Sequence, residues 1–449
     1  MGKPIDLAAL DVETVQDYYH SPSEKFLVRN AGGRWLAHSR PLYRRILASR
    51  GVKTKPAQGE AMAEADHEIL SVLDANDVTG FSPICGRNAG FIDEGGTRWL
   101  VTEDMNLIEP KQGSCPTIRA IITGLFHDSE TEEVGAAQVH TFMGWLQSSA
   151  VALRAGRQQQ QQALAICGEA NCGKSLIQHL IITPCLANRE ADANRAFLRG
   201  NDFNANLFKA EHLFLDDCHS STSIKERVAF GATLKAHTVG ATTKGLHAKG
   251  RDEINISPWW RISITLNDAP EAMMILPPLN EDIADKIILL RASRFAFPEA
   301  IQSGDDKAKF AAMIRSEIPA FLFWLLNIYQ IPAEYADPTR YNIATYQHPE
   351  LKENLESLSP EAELLELIDS IDLAAQVPAE QVTDGGVVWI TSQRLEELIR
   401  NANDRRANQV FTYRQSCAKY LHRLSVKNPA RVSKSRTNLS NGWNIHPKA

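Results

Sequence analysis

One stretch restricts the fold of this chain more than any other. Gly168-Glu-Ala-Asn-Cys-Gly-Lys-Ser175 fits the pattern GxxxxGK[ST] throughout. It stands between an apolar strand candidate, residues 163–166, and an apolar helix candidate, residues 175–182. Strand, glycine-rich turn and helix in that order make a cradle for phosphate. Glycine lets backbone amides wrap the anion, and the helix start adds partial positive charge. In this reading Gly168, Glu169, Ala170, Asn171, Cys172 and Gly173 enclose the phosphates of ATP. Lys174 reaches the β/γ-phosphates, and the Ser175 hydroxyl ligates Mg²⁺.

Two downstream strand ends complete the pattern. Residues 212–215 are an apolar strand ending in Asp216 and Asp217, 42 residues after Lys174. A P-loop ATPase needs a carboxylate there for Mg²⁺ and often a second to orient the attacking water. Residues 261–266 form another strand ending in Asn267, a residue type able to fix the water or the γ-phosphate. Residues 286–290 are a fourth strand candidate, and 223–236 a helix with a Ser223/Glu226 capping box. Strands alternating with helices predict a parallel α/β sheet.

Around this core the chain divides into expected units. Residues 1–114 read as an α+β domain with two β-hairpins, Phe26–Leu36 and Gly90–Val101, each turning at Gly-Gly. Residues 115–160 read as a helical collar, with Phe142, Trp145 and Leu146 on one face and a solvated connector of five glutamines, 158–162. The ATPase core spans 161–300. A buried helix pair is expected over 307–330, within a 301–359 unit that ends in a Pro-dotted linker, 332–360. The last unit, 360–449, reads helix, strand, helix, helix, hairpin. Its second core helix, 412–424, turns Tyr413, Cys417, Leu421 and Leu424 inward and leaves Arg414, Lys419 and Arg423 outside. Asn441-Gly442 is the expected hairpin turn. This is a winged-helix-like order, whose second helix enters the DNA major groove.

Charge supports that unit as a partner for anions. The chain carries a net −6, yet its last 59 residues hold twelve Lys/Arg against three Asp/Glu, a local +9. Seven scattered cysteines without a CxxC pair argue for a reduced chain and against a zinc ribbon. The longest apolar run, near 320–326, is too short for a membrane span, and Met1–Asp6 has no apolar leader character, so a cytoplasmic location is expected. Trp259-Trp260 read as core rather than as a base-stacking platform.

The ordered set of P-loop, Asp-Asp strand and strand-end Asn resembles superfamily 3 helicases of the AAA+ class, nearest to the helicase part of phage, plasmid and poxvirus-type primase-helicases. Phe203-Asn204, Leu276-Pro-Pro-Leu-Asn-Glu-Asp282 and Gln138–Leu146 are similar to that group as well. The resemblance implies an AAA+-like core, a hexameric ring with ATP between subunits, and a hairpin that follows nucleic acid in the central channel. The matching segment carries Lys244, His247 and Lys249. It further implies a trans-acting arginine. The corresponding position here holds Lys286, so Lys286, Arg291 or Arg294 would serve. No paired-acid primase motif precedes the core, so a separate primase is the implied partner.

The site residues and this resemblance together imply an ATP-dependent hexameric helicase that translocates on single-stranded or forked DNA, for a phage, plasmid or other mobile element. A second reading is an ATP-regulated initiator or defence switch that assembles on DNA without unwinding it. A third, a small-molecule NTPase, would be indifferent to DNA.

Overall fold

The computed structural model describes residues 16–94, 96–198, 205–216, 224–238, 244–246, 254–297, 303–436 and 441–448. Asp217, His247, Lys249, Phe203-Asn204 and the Ser223 cap lie outside the described residues.

The amino-terminal part contains β1 (Tyr18–His20), β2 (Lys25–Arg29), β3 (Trp35–His38), α1 (Arg40–Ser49), α2 (Glu64–Ala75) and β4 (Asp77–Val78). Its sheet has the order β3-β2-β1-β4. Phe26, Val28, Tyr43, Ile46 and Ile69 form its core. A second sheet, β5-β7-β6, follows, from β5 (Gly80–Ser82), β6 (Gly90–Glu94) and β7 (Thr97–Val101). Both predicted hairpins are present, β2–β3 and β6–β7. Positive φ at Gly33 (+75°) and Gly96 (+81°) explains the need for glycine in each turn. The second sheet joins the core of the central region: Trp99, Val101 and Ile84 pack in one cluster with Ile262 and Ile264.

α3 (Pro116–Leu125) and α4 (Glu132–Arg154) follow. Phe142, Trp145 and Leu146 are buried, but so are Met143, Ser148, Ser149, Ala150, Ala152 and Leu153. α4 is therefore an interior helix, not a one-faced collar. The glutamine run is only partly solvated. Gln161 and Gln162 are buried, and the Gln162 carbonyl accepts from the Trp145 indole at 2.9 Å.

The central sheet is parallel throughout, in the order β14-β8-β13-β10-β9. Its strands are β8 (Ala163–Gly168), β9 (Glu190–Asp192), β10 (His212–Leu215), β13 (Arg261–Leu266) and β14 (Ile287–Ala292). β13 sits directly between the P-loop strand and the acidic strand. Leu164, Ile166, Ile288 and Leu290 face one apolar cluster, and Ala163, Ala165, Ile287 and Leu289 face another. Both faces are thus covered, as a parallel sheet requires. The helices of this region are α5 (Lys174–Ile177), α6 (Thr183–Cys185), α7 (Asn194–Leu198), α8 (Ile224–Thr238) and α9 (Pro270–Met273). α5 runs through a π-turn, Gln178–Ile182, into α6. β11 (Lys244–Leu246) pairs antiparallel with β12 (Ile254–Ile256), so the backbone of the expected channel hairpin is formed at its base. Trp259 and Trp260 are core residues, 2 % and 7 % exposed.

The expected helix pair is one helix, α10 (Gly304–Asn327). Pro319 lies inside it. The burial of Ile314, Ile318, Phe321 and Leu325 outweighs the backbone bond that proline removes. The expected linker, 332–360, is packed. Tyr341 and Ile343 are buried, and His348 N donates to Leu289 O at 2.8 Å along the edge of β14. α11 (Pro349–Ser357) closes it.

The carboxy-terminal unit has α12 (Pro360–Asp369), α13 (Leu373–Gln376), β15 (Val388–Ile390), α14 (Ser392–Val410), α15 (Ser416–Lys427), β16 (Val432–Arg436) and β17 (Asn441–Ile445). Its sheet order is β15-β17-β16. α14 starts at the expected Thr391 cap, whose hydroxyl accepts from Arg394 N. Two details differ from expectation. α15 begins at Ser416, after a left-handed Gln415, so Tyr413 precedes the helix and is 47 % exposed. Asn441-Gly442 lies within β17, where a side chain at Gly442 would meet the Trp389 ring. None of the helices among the described residues is long and apolar enough to cross a membrane.

Candidate nucleotide site

The P-loop joins β8 to α5 through two left-handed residues, Asn171 (φ +62°) and Gly173 (φ +112°). Successive right- and left-handed residues turn backbone amides to one side, which makes an anion nest. Gly168 is fixed by contact rather than torsion. A Cβ there would stand 2.1 Å from the Ala292 carbonyl.

Lys174 is 9 % exposed. Its Nζ donates to the Gly168 and Glu169 carbonyls, both at 2.7 Å, and lies 3.5 Å from Asn267 Oδ1. The Ser175 hydroxyl donates to Asp216 Oδ2 at 2.9 Å. The side chain of Asn194 holds the Asp216 carbonyl at 3.0 Å. Parallel register brings these groups together: β8, β13 and β10 end side by side, so their carboxyl ends deliver Gly168, Asn267 and Asp216 to one rim. The cleft above them has a volume of about 730 Å³. Polar groups line one part, while Leu176, Ala272 and Phe297 supply apolar wall, and Lys307 adds a second cation.

The structure therefore gathers Gly168–Ser175, Asp216 and Asn267. The other predicted residues stand elsewhere. Lys286 is 6 % exposed, at the opposite end of β14 from the P-loop, and is ion-paired to Asp285, which also binds Arg340. Burial and pairing remove it as a cation offered to a neighbour. Arg291 is paired to Glu350 on the outer edge of β14. Arg294 turns instead to its own P-loop, 3.1 Å from Glu169 Oε2 and donating to the Ala170 carbonyl at 3.1 Å. Thr265, on the cleft floor, was not predicted. The alternation Arg261, Ser263, Thr265 in an otherwise apolar strand is the signal that marks it.

Of the three carboxy-terminal basic residues, two lie outside as expected. Arg414 and Lys419 are exposed, and the Lys419 ammonium lies 5.9 Å from the Tyr413 ring centroid. Arg423 is partly buried and donates at 2.8 Å to Glu361 on α12, a carboxylate only 8 % exposed. This face of α15 lines a cleft with Glu281, Asp282 and Glu356, so it meets acidic side chains of the same chain. Replacing Arg423 with alanine is expected to lower stability by about 2 kcal/mol, between the values for exposed and buried ion pairs. The salt dependence of any DNA binding should stay unchanged. Thermal melts and a salt titration check both.

No protein-family model matches this chain, and no curated protein matches its sequence. Solved structures do. The A form apo structure of the NrS-1 C-terminal region superposes with a TM-score of 0.51 at 12 % identity, over 96 % of each chain. A second apo structure of that region gives the same values. The two proteins share a fold. A JCV helicase bound to a thiazolopyridine compound aligns over 55 % of this chain and 61 % of its own, at 12 % identity and a TM-score of 0.29, too low to bear on the architecture. The likeness to the NrS-1 C-terminal region extends beyond the sheet to nearly the whole chain.

Proposed function

We propose that the protein is an ATP-hydrolysing motor of the superfamily 3 helicase kind, with an AAA+-like core, working as a hexameric ring on single-stranded or forked DNA. The convergence of Lys174, Ser175, Asp216 and Asn267 on one rim carries this reading. The arrangement 5-1-4-3-2, with the P-loop strand first and the Asn strand inserted beside it, supports it too. The hard oxygen pair Ser175 Oγ and Asp216 Oδ2 fits magnesium, which prefers one or two protein oxygens plus substrate phosphates. When bound, that ion neutralises charge on the phosphates.

The chain's own residues do the rest. Backbone amides of 168–173 hold the phosphates, and Lys174 exchanges its carbonyl partners for phosphate oxygens. Asn267, at the γ-phosphate end, orients the attacking water, with Asp216 or Asp217 accepting its proton. The β11–β12 hairpin and the exposed Arg414 and Lys419 are the proposed DNA contacts, the latter on a winged-helix-like unit. A partner primase and a mobile-element setting belong to the same reading.

Steady-state ATP hydrolysis, with and without single-stranded DNA, tests it. DNA is expected to stimulate hydrolysis, and the protein then to unwind a forked duplex. Hydrolysis indifferent to DNA would rule out the motor. One observation favours the second reading, a DNA-assembled switch that does not unwind. Among the described residues neither Lys286 nor Arg291 is offered to a neighbour and Arg294 is held by its own P-loop, and loss of an arginine finger slows hydrolysis by about 10³–10⁵. Stimulated hydrolysis without unwinding would select it.

A further inference from the structure

The Asp216 carboxylate receives a second hydroxyl besides Ser175. Thr265 Oγ1, from the adjacent strand β13, donates to its other oxygen, Oδ1. Behind Thr265 runs a buried polar chain. Gln178 reaches Thr265 Oγ1 at 3.3 Å and Ser263 Oγ at 2.8 Å. Ser263 meets His212 Nε2 at 2.7 Å, and His212 Nδ1 meets Thr183 Oγ1 at 2.7 Å. Thr183 donates to Glu190 at 2.6 Å. Gln178, Ser263 and His212 are fully buried and Thr265 is 1 % exposed. Polar groups placed so deep are costly unless satisfied, and a satisfied chain fixes its members rigidly.

The proton inventory shows what this chain does. Thr265 has one hydroxyl proton and two neighbours able to accept it, the Asp216 carboxylate and the Gln178 amide oxygen. The charged acceptor makes the stronger bond. The Gln178 amide NH₂ donates to Ser263 Oγ, and its oxygen lies 3.3 Å from Thr265 Oγ1. Ser263 donates in turn to His212 Nε2, and His212 Nδ1–H donates to Thr183, whose hydroxyl proton goes to Glu190. The buried donors behind Thr265 thus run toward Glu190 and leave the Thr265 proton to Asp216. The π-turn that begins at Gln178 adds to the case, since such turns occur frequently at functional sites.

We propose that Thr265, steadied from behind by Gln178, is the positioning residue that aims the Asp216 carboxylate at Ser175 and at the magnesium of a bound nucleotide. This rests on the nucleotide-site reading above. Ser175 and Thr265 hold the two carboxylate oxygens from two different elements, so the side chain cannot rotate without losing one of them.

Binding, not turnover, tests this. The probe is a fluorescent non-hydrolysable ATP analogue, titrated in EDTA and again across a magnesium series. Thr265→Val is expected to raise the magnesium midpoint about tenfold, the size of a lost outer-shell partner, and to leave affinity in EDTA unchanged. Thr265→Ser should restore the midpoint. Thr265→Cys, a weak donor, should shift it too and serves if the Val variant does not fold. Wild-type midpoints in both Val and Cys variants would overturn the positioning role alone. Absence of magnesium-dependent analogue binding by the wild type would overturn the nucleotide-site reading, and this proposal with it.

Discussion

Alanine at position 174 should reduce ATP hydrolysis by at least ~10³-fold, the upper range for removing one preorganised charge from a transition state. Lys174 Nζ sits at the mouth of the anion nest, 9 % exposed, between two loop carbonyls and Asn267. Water is largely excluded there, so its charge is worth far more than on a surface. Lys174→Arg is expected to fail as well. A planar guanidinium cannot take the place of a compact ammonium between the Gly168 and Glu169 carbonyls. Those carbonyl contacts are also structural, so melting temperatures must accompany the rates. Loss of hydrolysis with an unchanged melting temperature identifies a chemical role. Residual hydrolysis near the wild-type rate would exclude this cleft as the site of turnover.

The second large effect is acid instability centred on His212. Burial pushes its pKa from 6.5 down to about 3, with Glu190 pulling upward and His179 adding to the depression. The sign follows from linkage. Below pH 6.5 the unfolded chain takes up a proton at this residue, while the folded chain does so only near pH 3. Stability is therefore complete above 6.5 and is lost progressively as pH falls toward 3. The full loss is about 5 kcal/mol, because each tenfold change in proton affinity is worth about 1.4 kcal/mol. Thermal melts from pH 7.5 to 4 of wild type and His212→Gln measure the part of it that falls in this range. The variant keeps a donor and an acceptor but cannot titrate, so its curve should be distinctly flatter. Parallel curves would show that His212 is not the acid-labile group.

The residues that build the cleft rim were legible because each signal is local. A P-loop carries its turn chemistry in eight residues, and apolar runs ending in Asp216 or Asn267 mark strand ends without reference to partners. What could not be read depends on pairing across the chain. Lys286 and Arg291 look like available cations until Asp285 and Glu350 are seen beside them. Arg423 is periodic with the outer face of α15, yet that face meets Glu361 from a helix 62 residues earlier. The segment 307–330 reads as a helix pair, and the burial that carries one helix through Pro319 is tertiary. The 332–360 segment reads as a linker because its few anchors, Tyr341, Ile343 and His348, are scattered among polar residues. Thr265 was hidden for another reason: threonine is an ordinary strand residue, and only the carboxylate one strand away gives it a task.

The packing of residues 346–348 against β14 has a consequence for assembly. The open side of a parallel sheet exposes unpaired amides and carbonyls, a template on which another chain can extend. Here Leu289 spends both of its outward groups on Tyr346 and His348. The middle of that border is capped by the protein's own backbone, and the opposite border, β9, is only three residues long. Copies of this chain that come together on the β14 side must therefore meet through side-chain surfaces and not by continuing one sheet into the next. Such contacts can slide or open between states without breaking a ladder of backbone bonds.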